Sequence, residues 1–199
     1  VTYAVQNGLR EHGAALTLRG VEPRHKKGHI PAITKPADIA PLVVAINAYN
    51  SRITRAALKL TMLTGLRPGV VAAVPWDEVN LKTGEWRVAA ERMKMRHDHI
   101  VPLPTQAIAA LNELQALTGK GHYVFPSPAR QKKPHLHRDA LSKALREMGF
   151  QGKHATHGFR GTLRTVGRER LGIDVDVLAA QLAHAKRGDV QKALRQNNV

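Results

Sequence analysis

Between residues 76 and 103 the apolar positions change from helical spacing to alternation, and this switch of period constrains the fold more than any other feature of the chain. Segments 76–79 and 85–88 alternate around Leu81-Lys82-Thr83-Gly84, which predicts a hairpin. Segment 99–103, with Ile100, Val101 and Leu103, supplies a third short strand and leaves Lys94 in the turn between strands two and three. The remainder is patterned for helices, so the expected class is α+β, mostly α, with a small three-stranded antiparallel sheet.

The helical segments can be placed individually. After Pro36, Asp38 and Ile39 open a helix with Leu42, Val43, Ile46 and Tyr49 at helical spacing. A second, about 51–63, buries Ile53, Ala56, Ala57, Leu60 and Leu63 and stops at Thr64-Gly65. Further helices are predicted at about 105–117, 137–148, 158–171 and 174–183, with a terminal one from 188. Residues 1 to about 20 read as the end of a helical unit. The basic, Gly/Pro-punctuated stretch 20–31 reads either as a solvated loop or as a linker laid along a polyanion through Arg24, Lys26 and Lys27. The expected division is therefore 1–33, helical end plus linker, and 34–199, the main domain. A start at Val1 rather than Met reads as a piece of a longer polypeptide.

Charge narrows the partner. Lys and Arg number 31 against 15 Asp and Glu, a net charge of +16, and such a field favours nucleic acid. No apolar run is long enough to span a bilayer and no basic helix carries an aromatic-rich face, so no membrane partner is expected. Aromatics are 4% of residues, which argues for duplex phosphate contact over base stacking on single strands. The chain has no cysteine, which excludes thiolate metal sites and disulfides and is compatible with a reducing cytoplasm.

The candidate chemistry lies in an ordered set of cations and imidazoles: Arg67 in Thr64-Gly65-Leu66-Arg67-Pro68-Gly69, Lys94, Thr156-His157-Gly158-Phe159-Arg160, and Leu182-Ala183-His184. Phosphodiester transfer builds negative charge on non-bridging oxygens, which guanidinium groups meet through paired, fixed hydrogen bonds. Arg67 and Arg160 suit that task. Lys94 can release a proton to a leaving alkoxide, His157 can take the nucleophile's proton, and His184 can donate to the same phosphate. The spacing from His157 to Arg160 puts both side chains on one face of a helix start, where backbone N–H groups also favour an anion. Taken singly, each residue also fits an ordinary structural role; the order of the set carries the reading.

That order resembles the tyrosine recombinase (phage integrase) family over residues 36–199. Arg92-Met93-Lys94, His99-Ile100-Val101-Pro102-Leu103 and Tyr123-Val124-Phe125-Pro126 are similar to the integrases of prophages and genomic islands. The resemblance implies a bacterial cytoplasmic DNA recombinase with a C-shaped clamp on double-stranded DNA. It also implies cleavage through a 3′-phosphotyrosyl bond and a homotetramer on DNA. Catalytic residues would be Arg67, Lys94, His157, Arg160 and His184, with Arg24, Lys26, Lys27, Lys94 and Arg96 on DNA and neither metal nor cofactor required.

Two positions depart from the family's pattern. Val70 stands where an acidic residue usually steadies the first arginine, and Ala193-Leu194 stand where the tyrosine nucleophile is expected, at Leu194. The implied activity is thus that of a recombinase domain without its nucleophile. A DNA-binding remnant or inert subunit on attachment-site DNA is the alternative. A metal-dependent hydrolase built on the pairs His97/His99, His135/His137 and His154/His157 is a third class, but no His-Glu-x-x-His or clustered carboxylates accompany them.

Overall fold

The computed structural model describes residues 2–9, 11, 28–94 and 96–184. The predicted helix from 188, the Arg24, Lys26 and Lys27 positions, and Ala193 and Leu194 all lie outside the described residues.

Helix α1 is short, Thr2–Gln6, and α2, Pro36–Ala48, begins with proline in its first turn, where a missing N–H costs nothing. Helix α3, Arg52–Thr64, is capped by the Ser51 hydroxyl, which accepts from the Thr54 N–H. It is the spine of the molecule. Helices α2, α4 (Pro68–Ala72), α5 (Thr105–Thr118), α6 (Arg138–Glu147) and α7 (Gly158–Glu169) all pack against it or one another. Ala57, Leu58, Leu60, Leu66, Val71, Val74, Trp86, Phe125, Leu111 and Leu141 form one continuous core between the helices and the sheet. Helix α8, Val175–Gln181, lies against α7.

The sheet has the order β1-β2-β3, antiparallel throughout: Val79–Asn80, Glu85–Val88 and His99–Pro102. Trp86 is paired with Val101, and both side chains, with Val88, face the core. The first strand is shorter than the alternation predicted. Trp76–Glu78 forms a 3-10 turn, because Glu78 is turned inward to accept from Trp86 Nε1 at 2.9 Å, from the Ala89 N–H at 3.3 Å, and from Arg92. In the connecting turn the Asn80 carboxamide oxygen accepts from the Lys82 and Thr83 N–H groups.

The remaining helices fall within a few residues of their predicted bounds. Helix α4 is absent from the sequence prediction, since Pro68-Gly69 directly after Arg67 reads as a turn. Among the described residues no helix is long and apolar enough to cross a membrane.

Candidate active site

The C-terminal ends of α3 and α8, the start of α7 and the β2–β3 turn meet at one place. Gly65 ends α3 in the left-handed region, φ 65°, and its N–H donates to the Thr61 carbonyl at 3.0 Å. The chain then turns so that Arg67 precedes α4 as its N-cap. Helix α8 ends in a Schellman turn: the Ala183 N–H donates to the Ala180 carbonyl at 2.9 Å, and the His184 N–H to that of Ala179 at 2.8 Å. The left-handed residue is Ala183, φ 51°, where glycine is usual. His184 therefore occupies the position after that reversal, where an apolar side chain commonly folds back on the helix.

Its ring reaches Arg160 instead. Arg160 donates from Nη1 to the Gly65 carbonyl at 2.6 Å, and from Nη2 to the Leu182 carbonyl at 2.8 Å and to His184 Nε2 at 2.6 Å. A guanidinium can only donate, so His184 Nε2 accepts and the ring proton sits on Nδ1. Any hydrogen bond from His184 to an anion then comes from Nδ1. Two N–H groups of Arg160 are not used in these bonds.

Two further bonds fasten the site. Gln181 Nε2 donates to the Thr64 carbonyl at 2.8 Å, and His99 Nε2, on β3, donates to the Gln181 carbonyl at 3.3 Å. The helix ends and the sheet edge thus share one chain of bonds. His99, read from the sequence as a strand residue in the His99-Ile100-Val101-Pro102-Leu103 segment and not as a site residue, also belongs to this cluster.

A cleft of about 330 Å³ beside this cluster is lined by Arg67, Lys94 and His157 together with Glu91, Arg92 and Arg138. Lys94 is exposed in the β2–β3 turn, as is Arg96, whose φ of 51° is the second left-handed non-glycine residue. Arg92 links the turn to α4, donating to Glu78 and, from Nη2, to the Val70 carbonyl at 2.6 Å. Val70 thus contributes a backbone acceptor to Arg92 rather than a side-chain acceptor to Arg67. Among the described residues no hydrogen bond or ion pair holds the Arg67 guanidinium. Arg92 and Arg138 are not among the site residues read from sequence: Arg92 adjoins Lys94 in the Arg92-Met93-Lys94 segment, whereas nothing sets Arg138 apart in so basic a chain.

The electrostatics are set by burial and by the clustered arginine charges. Burial, and then the Arg67 charge, push Arg160 down to about 10, so it stays cationic at neutral pH. His157 and His184 are held below the ordinary imidazole value by burial first and by the charge of Arg160 next. His99 is lowered chiefly by burial, against the raising effect of its Gln181 bond. His154, 3% exposed behind the site, is pushed down to about 4 by burial alone.

These shifts set an acid limit. The unfolded chain binds protons below about pH 6.5 that the folded imidazoles refuse, so their stabilisation is complete above that pH and is lost as pH falls, for His154 down to about 4. His154 alone accounts for a loss on the order of 3 kcal/mol at pH 4. Urea unfolding at pH 7 and pH 4.5 should show the drop, and His154→Asn, which does not titrate, should give a shallower dependence.

No group of three or more His, Asp or Glu side chains among the described residues converges as a metal site would require. The cleft brings together Arg67, Lys94 and His157, whereas Arg160 and His184 belong to the adjoining hydrogen-bonded cluster; together they form a cationic surface suited to an oxyanion such as a phosphodiester.

The chain is similar to known proteins in sequence and in fold. The Phage integrase family model matches residues 34–197. Prophage integrase IntA of Escherichia coli (strain K12) is 30% identical over 197 residues, covering 98% of this chain and 47% of its own. The integrase of Enterobacteria phage P4 is 34% identical over 208 residues, covering 96% of this chain and 46% of its own. The chain thus spans about half the length of these relatives. Among solved structures, a lambda integrase dimer bound to a COC′ core site has a TM-score of 0.66 at 16% identity, covering 96% of this chain and 54% of that one. XerA recombinase has a TM-score of 0.62 at 17% identity, covering 90% and 68%.

Proposed function

Since this chain belongs to the phage integrase family, we propose that it is the catalytic domain of a site-specific DNA recombinase that grips duplex DNA at its scissile phosphate and carries Leu194 where the tyrosine nucleophile is expected. In this reading residues 34–199 are the catalytic domain, and 1–33 the end of a preceding DNA-binding domain plus linker. The observation that carries the proposal is Arg160 locked between two helix ends beside His184, with Arg67 in electrostatic reach of both. Such a site is built to receive an oxyanion without rearranging.

Arg67 and Arg160 hold the non-bridging oxygens. His184 donates from Nδ1 to the same group, and His157, neutral at pH 7, is able to accept a proton from an attacking hydroxyl. Lys94, on an exposed turn, would protonate the departing sugar oxygen once a tyrosine hydroxyl attacks the phosphorus, as in Leu194→Tyr. Arg92 and Arg138 add positive charge to the cleft wall, and Lys94, Arg96, Arg24, Lys26 and Lys27 make sequence-independent backbone contacts whose strength falls steeply with salt. Double-stranded DNA is the partner, the parent protein acts as a homotetramer on DNA, and it works in the bacterial cytoplasm.

Leu194 stands at the position expected for the nucleophile, and no tyrosine occurs between His184 and Val199. The chain's three tyrosines are Tyr3, Tyr49 and Tyr123, all before His157. Tyr49 is bonded to Glu147 at 2.6 Å and pushed up to about 12 by that carboxylate, and Tyr123 packs against His122 and His135. Neither is a phosphate nucleophile.

The proposal is tested on duplexes enriched by this chain from a random-sequence pool, nicked near the bound centre and resolved under denaturing conditions. The unaltered chain should leave no covalent adduct and Leu194→Tyr should leave one. An adduct with the unaltered chain would show that another residue attacks. None with either would show that the cradle does not support transfer.

A further inference from the structure

The segment just before the region matched by the family lies across the back of the helix that bears His157 and Arg160. Its contacts are specific. The Ile33 N–H donates to His154 Nδ1 at 3.1 Å, the Thr162 hydroxyl donates to the Ile33 carbonyl at 2.6 Å, and the Ala155 N–H donates to the Pro31 carbonyl at 3.0 Å. The helix is shaped for this crossing. A Cβ on Gly158 would land on the Pro31 carbonyl oxygen and 3.2 Å from the Ala32 Cα, and one on Gly161 would press on the Ala32 methyl at 3.3 Å. Ile33 itself packs onto the main core.

His154 is the centre of this socket. It is 3% exposed, stands edge-on to Phe159 with ring centroids 4.4 Å apart, and takes the Ile33 N–H on one nitrogen. Its other nitrogen has no partner among the described residues. A buried imidazole with one unpaired nitrogen is costly where an apolar ring could make the same edge contact with Phe159, so its acceptor role toward Ile33 is the contribution specific to histidine.

We propose that residues 31–33 form a strap that sets the position of α7, with His154 and Thr162 as positioning residues for His157 and Arg160. The cradle's hold on its phosphate then depends on the segment entering the domain, not only on the domain. Thr162 is two residues after Arg160 in α7, which puts the strap contact and the Arg160 side chain on opposite faces of the same turns, and His154 sits in the segment that leads into His157 at the helix start. The inference rests on the phosphate-cradle reading of the preceding section.

Phosphate-ethylation interference on an enriched duplex tests it. In the unaltered chain, the phosphate held by the cradle is the one whose interference disappears in Arg160→Ala. His154→Phe keeps the ring and removes the acceptor, and Thr162→Val removes the hydroxyl at constant volume. Both should weaken interference at that phosphate by about tenfold, with the others unchanged. His154→Asn, which restores an acceptor, should recover it, and hydrogen exchange at Ile33 should be fast in His154→Phe and slow in His154→Asn. Unaltered interference in both weakened variants overturns the strap, and so does an equal loss at every phosphate, which marks general fold support. Should no phosphate depend on Arg160 in the first place, it is the cradle reading that fails.

Discussion

Replacing Arg160 by alanine removes the strongest single determinant of the site: phosphate-specific affinity at the cradle falls by about a hundredfold, and stability falls by on the order of 3 kcal/mol. The first effect follows from losing the guanidinium that meets the oxyanion. The second follows from the free protein, where the same side chain bonds two carbonyls and an imidazole at 2.6–2.8 Å and is half-buried. Truncation leaves the Gly65 and Leu182 carbonyls without their donor. Arg160→Lys should recover little of either effect, since one ammonium cannot span Gly65, Leu182 and His184 in the fixed plane of a guanidinium. Denaturant unfolding reads the stability change and ethylation interference reads the binding change. A full-affinity Arg160→Ala protein would remove Arg160 from the site.

Gly65→Ala has a large and purely structural effect. The new Cβ would lie 2.6 Å from the Leu163 Cδ2 and 2.9 Å from the Leu182 Cδ2, on a residue held at φ 65°. A left-handed alanine costs about 1–2 kcal/mol and crowding of two packed leucines about as much again, so on the order of 3 kcal/mol is lost. In a chain of this size that lowers the melting midpoint by roughly 10 °C. DNA binding should suffer with it, because the displaced residue presents the carbonyl that Arg160 grips and lies two positions before Arg67. Scanning calorimetry with a parallel binding isotherm distinguishes this from Gly69→Ala, whose nearest neighbour is the flexible Arg138 side chain at 3.9 Å.

Sequence patterning located the parts of the fold that local rules control. Periodicity gives α3 and α5, alternation gives β2 and β3, and Thr64-Gly65 gives the helix stop, because burial of one face dictates each. The 3-10 turn at Trp76–Glu78 escaped because its cause is distant: Glu78 serves Trp86 and Arg92, and no window around residue 78 contains that demand. Helix α4 escaped because proline and glycine after Arg67 signal a turn as readily as a helix start. The same division holds at the site. The order of Arg67, Lys94, His157, Arg160 and His184 is written in the sequence. What fastens them, from His99 and Gln181 to Arg92 on the Val70 carbonyl, consists of side chains reaching backbone oxygens, and a one-dimensional pattern does not encode which oxygen lies in reach.

The two carbonyls held by Arg160 belong to the closing residues of α3 and α8, Gly65 and Leu182. A helix end carries a partial negative charge from its aligned peptide dipoles. One guanidinium therefore sits where two such negative ends converge, and in the free protein they serve as its counter-charge. An incoming anion meets a cation already partly neutralised and already oriented. Small ions in solution gain little there. A phosphodiester delivered by a duplex, which brings many other contacts with it, needs no reorganisation of the site to be held. The arrangement trades strength toward any single anion for readiness toward a tethered one.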